Sequence, residues 1–437
     1  MFDPFDAPGI LRDEITQRRE SGYDVDEFVA KADAVDAGDR AAVEALTDSL
    51  EQASRLPGWA YEEPGELADI LAALPEAERP SRPFERDIED KVHAGWLGRI
   101  AGCNVGKPVE WGDHWTAAHL RSYLELAGAY PLLGYVPLLD PLPAAYELRE
   151  DNMFETTRGN VDGSARDDDI DYPILGLYLL EKHGTGLSPA HVAESWLELL
   201  PFHQVYTAER VAYRNLVVGL PIGEVARRRN PYREFIGAQI RGDIFGWTHP
   251  GDPRAAATLA YQDAALSHTE NGIYGEMWAA ALVSAAFIAG SAREAVVRSL
   301  EHVPPRSRLA EAITDVLDQH AAGATWDAAL VQIQAAYGHY SWIHTVNNAA
   351  LVVAGLLWGE GDVARTVGLT VMGGWDTDSN GATVGSVAGV LAGTSALPAH
   401  LIDPLHDTTR SALFGFDNSR ISDLAARTAR LALSGLA

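Results

Sequence analysis

Sulfur and lysine are the scarcest reactive groups in this 437-residue sequence. Its one cysteine, Cys103, excludes an intramolecular disulfide, a thiolate zinc site and an iron–sulfur cluster. Lysine accounts for only four of the 34 Lys+Arg residues, which face 62 Asp+Glu, so the formal charge is -28. A surface this acidic repels phosphate backbones and excludes a basic nucleic-acid groove, and it also fits a high-salt habitat. Long apolar runs are missing too. The longest, Met277 to Ala289, is interrupted by Ser284 and is too short to span a bilayer. Met1-Phe2-Asp3-Pro4-Phe5-Asp6 is acidic and lacks the basic-then-apolar layout of a signal peptide, so a soluble, cytoplasmic protein is expected. No Gly-Lys-Ser/Thr phosphate loop, Gly-x-Ser-x-Gly elbow or His-Glu-x-x-His helix occurs.

What the chain does hold is helical periodicity. Residues 1–85 read as an acidic extension with one amphipathic helix, Ala41 to Leu56, and proline-flanked loops around Pro57, Pro64 and Pro80 to Pro83. From residue 86 to 437 the pattern is one of long alanine- and leucine-rich segments, while alternating β-branched runs are scarce, so an all-α core is expected. Residues 111–166 break that pattern with Pro131, Pro137, Pro141 and Pro143, and such an insertion reads as a lid or binding loop.

Four segments stand out chemically. In Arg166-Asp167-Asp168-Asp169-Ile170-Asp171, carboxylates at a helix start can cap free N–H groups and oppose the helix dipole. Adjacent aspartates also repel one another, a repulsion that a cation would relieve, and both readings stand at this point. Gly374-Trp375-Asp376-Thr377-Asp378-Ser379-Asn380-Gly381 opens like a calcium loop, but an EF-hand needs a glutamate where Val387 stands. A helix follows with Gly381, Gly385, Gly389 and Gly393 at every fourth residue. Interior glycine costs roughly 1 kcal/mol against alanine, so close helix packing is expected to offset it.

Gly98, Gly102 and Gly106 repeat that design ahead of Lys107-Pro108-Val109-Glu110, where the proline ends the helix. Glu110 in such a place is otherwise merely solvated. Finally, Ser267-His268-Thr269-Glu270-Asn271-Gly272-Ile273-Tyr274 is a polar turn between two alanine-rich helices that could line a site, although a lone histidine is more often structural. Cys103 lies in an apolar glycine helix, where a thiol is usually inert. Oxygen donors without sulfur or clustered histidine favour Mg²⁺, Mn²⁺ or Ca²⁺ over zinc or copper.

In this order, the segments resemble the ADP-ribosylglycohydrolase family over roughly residues 88 to 395. That family includes the bacterial hydrolase that removes ADP-ribose from dinitrogenase reductase and the vertebrate ADP-ribosyl-arginine and ADP-ribosyl-serine hydrolases. Its Gly-Asp-Ala-Leu-Gly-x-Pro-x-Glu opening is matched from Gly102 to Glu110, with Cys103 at the Asp position. Its Thr-Asp-Asp-Thr-Glu motif is matched by Asp167 to Asp171, where Asp167 and Ile170 replace the threonines, and its Gly-x-Asp-Thr-Asp-Thr by Gly374 to Ser379. Its substrate loop is matched weakly by Arg241 to Trp247, and the insertion is longer than in those hydrolases.

The resemblance implies an all-α, compact helical domain following the extension, with two divalent cations, Mg²⁺ first and Mn²⁺ or Ca²⁺ as alternatives. It implies metal ligands Asp167, Asp168, Asp169, Asp376, Asp378 and Ser379, and catalytic roles for Glu110, Asp168 and Asp169. Lys107, His268, Asn271, Gly272 and Tyr274 are expected to bind substrate. The implied function is cleavage of a ribosyl C1 bond in an ADP-ribosylated protein or small molecule. An N-glycosidase for nucleosides and a catalytically silent metal-bound protein are the alternatives. No nucleic-acid or membrane partner is expected.

Overall fold

The computed structural model describes residues 3–76, 85–112, 114–147 and 154–435. The proline loop expected at 80–83, and residues 113 and 148–153 of the insertion, lie outside the described residues. Among the described residues the chain is all-α, with 21 α-helices and one two-stranded sheet that pairs Thr408–Thr409 with Ser419–Arg420. No described helix is long and apolar enough to cross a membrane.

Most helices fall where apolar periodicity puts them. Glu270–Ala286 is buried on every side, which explains why its sequence is apolar all round. Periodicity alone does not reveal Val363–Met372, rich in β-branched residues of low helix propensity, whose core packing stabilises it instead. Inside the insertion, Ala117–Leu126 forms a helix capped by Thr116, so this segment is more regular than its prolines suggest.

The N-terminal residues hold four α-helices, Ala7–Glu20, Asp26–Ala34, Arg40–Ser49 and Leu67–Ala73, where the pattern showed one. The helix Ala7–Glu20 hides from hydropathy because its inward face is ion-paired. Its buried Glu14 accepts from Arg233 at 2.8 and 3.0 Å, and its buried Gln17 also contacts Arg233. Ile10 and Ile70 join the main apolar core, while Leu11, Ile15, Val25, Val43 and Leu50 form a small core of their own.

At the centre, the helices Glu85–Gly106 and Thr377–Ala392 pack antiparallel with backbone against backbone. A Cβ added at Gly98, Gly102 or Gly106 would collide with the carbonyls of Gly385, Gly381 and Thr377 respectively. Thr377 Oγ1 donates to the Gly106 carbonyl at 2.8 Å and locks the register where the first helix ends and the second begins.

Gly102→Ala is therefore expected to destabilise the fold by about 1–3 kcal/mol or more, since backbone must move. Gly186→Ala, where an added Cβ meets nothing within 4 Å, is expected to stay within about 0.5 kcal/mol of the parent. Denaturant unfolding of both variants checks this, and equal stabilities would contradict it.

Candidate metal centre

The locked register decides which side chains meet. Past Gly106 the chain makes a short 3₁₀ turn, Lys107–Val109, and Glu110 emerges from it half-buried. Opposite stand Asp376, Asp378 and Ser379, all buried at the start of the second glycine helix. Carboxylate oxygens of Glu110, Asp376 and Asp378 lie within 4.8 Å of one another. The backbone N–H of Asp376 donates to Asn348 Oδ1 at 3.2 Å, and Asn380 donates to the same oxygen at 2.7 Å, which fixes the turn.

The third segment arrives with the helix Asp168–His183. Asp167 is its N-cap and accepts from the N–H of Asp169 at 2.9 Å, so the capping reading of the aspartate run is correct for Asp167. Its remaining carboxylate oxygen faces the Lys107 ammonium. Asp169 accepts from Ser379 Oγ at 2.9 Å, which joins the two clusters across 210 residues of chain. Asp171 serves the fold, held by Arg166, Ser411 and the N–H of Ala412.

Lys107 extends its ammonium among these acids, 3.0 Å from Glu110, 3.3 Å from Asp378 and against Asp167. The polar turn does not join them. The imidazole of His268 pairs with Ser267 beside Arg241 and Glu209. Asn271 donates to Glu234 at 3.0 Å and to Glu63 at 2.8 Å, Tyr274 donates to the Pro64 carbonyl, and Gly272 abuts the Arg233 carbonyl. Asn271 and Tyr274 meet the N-terminal segment, Gly272 packs on Arg233, and His268 stays with Ser267, Arg241 and Glu209; among the described residues none of these hydrogen bonds takes the four to either aspartate cluster. The structure thus places Lys107 with the aspartates and these four residues elsewhere.

The family model for ADP-ribosylglycohydrolase matches residues 85–434. The chain belongs to the ADP-ribosylglycohydrolase family. It is therefore a glycoside hydrolase, and its acidic residues could bind the divalent metal on which that family generally depends. A solved structure described as an ADP-ribosylglycohydrolase-related protein complex is similar at 15% identity over 80% of this chain and 99% of that one, with a TM-score of 0.44. No curated protein sequence matches the chain.

Two residues that sequence reasoning missed organise this glycohydrolase site. Arg99, fully buried, donates to the Asp169 carboxylate at 3.1 Å and its carbonyl at 2.8 Å, and to Asp243 at 2.7 Å. Its only sequence signal is a lone charge inside the Gly98–Gly102 stripe. Asn348, which carries the Asp376 turn, lies in an apolar helix and gives still less.

The acids outnumber the charges that balance them. Burial first, and then Asp167, push the carboxyl of Asp168 up to about 7. Burial, Asp378 and Glu110 push Asp376 well above the usual carboxylate range. Burial also works to raise Asp167, but Lys107 and Arg166 outweigh it and hold that group low. Burial and the nearby aspartates keep Cys103 a neutral thiol, hence a poor ligand, although its sulfur lies within 4.8 Å of Asp167 and Asp378 oxygens. The donor set is thus hard oxygen with an excess of negative charge, and it fits a hard divalent cation.

The pH dependence of stability follows with a definite sign. The Asp168 carboxyl titrates at about 7 when folded, against ~4 when unfolded. Between those values the folded chain binds a proton that the unfolded chain has released, so this group's contribution is lost as pH rises. In EDTA, Asp168→Asn should gain stability relative to the parent from pH ~4 to ~7 and hold a constant margin above that. A margin independent of pH in thermal unfolding would contradict the assignment.

Proposed function

We propose that this chain is a divalent-metal-dependent glycohydrolase that cleaves the ribosyl C1 bond of an ADP-ribosylated protein or small molecule. Family membership supports the reaction class. The observation that carries the metal reading is the meeting of Glu110, Asp376 and Asp378 at one point, with Asp167 reaching Asp378 through Lys107.

Asp378 lies in both groupings of donors and would be the central ligand, with Asp376, Asp167 and Asp168 around it. Asp169, tied to Arg99, would act through Ser379. When bound, the cation supplies Lewis acidity toward ribose hydroxyls and water as oxocarbenium character builds at C1. It would also offset the repulsion between an acidic chain and a diphosphate.

Glu110 is only partly enclosed, at 16% side-chain exposure, and stands beside the exposed Trp111 that opens the insertion. That position suits a carboxylate that exchanges a proton with the leaving group or the entering water, or orients the ribose. Asp168, whose carboxyl titrates near neutrality, is placed to hold a proton at working pH. The insertion, with its stacked Trp115 and Tyr146 at 5.8 Å, would frame the approach as a lid.

Asp378→Asn is expected to lose metal affinity and turnover together, because an amide cannot balance cation charge. Glu110→Gln is expected to weaken metal binding less than Asp378→Asn does, because Glu110 belongs to one donor grouping and Asp378 to both, and to lose roughly 10²–10⁴-fold in turnover at saturating metal. Calorimetric metal titration, with ADP-ribose release from ADP-ribosyl-arginine and ADP-ribosyl-serine substrates, reads both. Undiminished turnover in Glu110→Gln would remove it from the mechanism, and unchanged metal affinity in Asp378→Asn would remove the metal assignment.

A further inference from the structure

Donor geometry defines two places where a cation would sit. One lies among Glu110, Asp376 and Asp378, and the other among Cys103, Asp167 and Asp378, each with ligand atoms within 4.8 Å. They share Asp378 but differ in chemistry. The first is three carboxylates, of which Glu110 and Asp378 stand 3.0 and 3.3 Å from Lys107. The second offers two carboxylates and one sulfur, and the Lys107 ammonium stands against both of its carboxylates.

An ammonium and a divalent cation cannot share that place. A hard cation needs oxygens at ~2.0–2.6 Å, which would set it against Nζ with like charge. The main chain fixes where Lys107 enters the cluster. Its backbone follows Gly106, which is pinned to Thr377, and it precedes Pro108, whose ring fixes the turn. Its side chain is 10% exposed, enclosed by the acids it serves.

We propose that the Lys107 ammonium is the resident cation of the Asp167–Asp378 position, so that this chain takes one divalent cation, at Glu110, Asp376 and Asp378. This rests on the metal-dependent reading above and alters its stoichiometry. In this arrangement Lys107 links the two aspartate clusters before metal arrives and steadies Glu110 at 3.0 Å as a positioning residue. It does part of the electrostatic work of a second metal ion, as a point charge with no Lewis-acid orbital to offer substrate.

The test is Mn²⁺ binding to the full chain, read by calorimetry and electron paramagnetic resonance. Wild type should bind one Mn²⁺ per chain with an isolated-ion spectrum. Lys107→Met, which keeps the length and removes the charge, should bind a second Mn²⁺ and show the exchange-coupled spectrum of a pair. Its metal-free form should melt lower than wild type and recover with Mn²⁺. Lys107→Arg, which keeps the charge, should still bind one. Two Mn²⁺ in wild type would overturn the proposal and leave the metal reading standing, and that measurement does not depend on whether any variant folds. A folded Lys107→Met that still binds one would also overturn it. No Mn²⁺ on wild type would instead remove the metal reading itself, and this inference with it.

Discussion

The direct contact of two helix backbones is the constraint on which the site depends. Helices Glu85–Gly106 and Thr377–Ala392 approach so closely that Gly98, Gly102, Gly381 and Gly385 have no room for a methyl group. Such contact leaves no freedom of slide or rotation, so the residues that follow Gly106 are fixed against those that precede Gly381. Lys107, Glu110, Asp376 and Asp378 come from opposite ends of the sequence, yet their relative placement is as rigid as that of neighbours in one turn. The helix Asp168–His183 is drawn to the same point by Arg99, itself carried between two of those glycines.

Buried charge in this molecule is organised by arginine. Arg233 meets Glu14, Arg308 meets Glu63 and Glu234, Arg241 meets Glu209 and Asp263, and Arg99 meets Asp169 and Asp243. These planar forks pair with buried carboxylates, and removing one partner would strand a buried ion. The aspartate site is the exception. There one of the chain's four lysines, a compact point charge, joins Arg99 and Arg166 among the acids and stands against Glu110, Asp167 and Asp378.

Legibility in the sequence followed the same division. Glycine every fourth residue in a helix is costly without close packing, so the two stripes announced their contact. Adjacent aspartates are costly without a cation or cap, so the clusters announced a site, and Asp167 proves to be a cap as well. Arg99 and Lys107 announced little, because what matters is their partners, 70 and 271 residues away. The placement of the turn around Asn271 and Tyr274 was hidden for the converse reason. Its polar side chains suggested a pocket, but their partners belong to an N-terminal segment whose own helix was hidden by Glu14 and Gln17 on its inner face. Periodicity reads apolar burial well and reads buried ion pairs as surface.

The central claim is that the meeting of the glycine helices with the aspartate helix builds a cation site. Crystals of the full chain soaked in Mn²⁺ and measured at the manganese absorption edge test it most directly. The account predicts an anomalous peak bounded by the carboxylates of Glu110, Asp376 and Asp378, with Lys107 still seated against Asp167. Well-diffracting soaked crystals with no anomalous density among those carboxylates, or with manganese only at surface acids elsewhere, would contradict it.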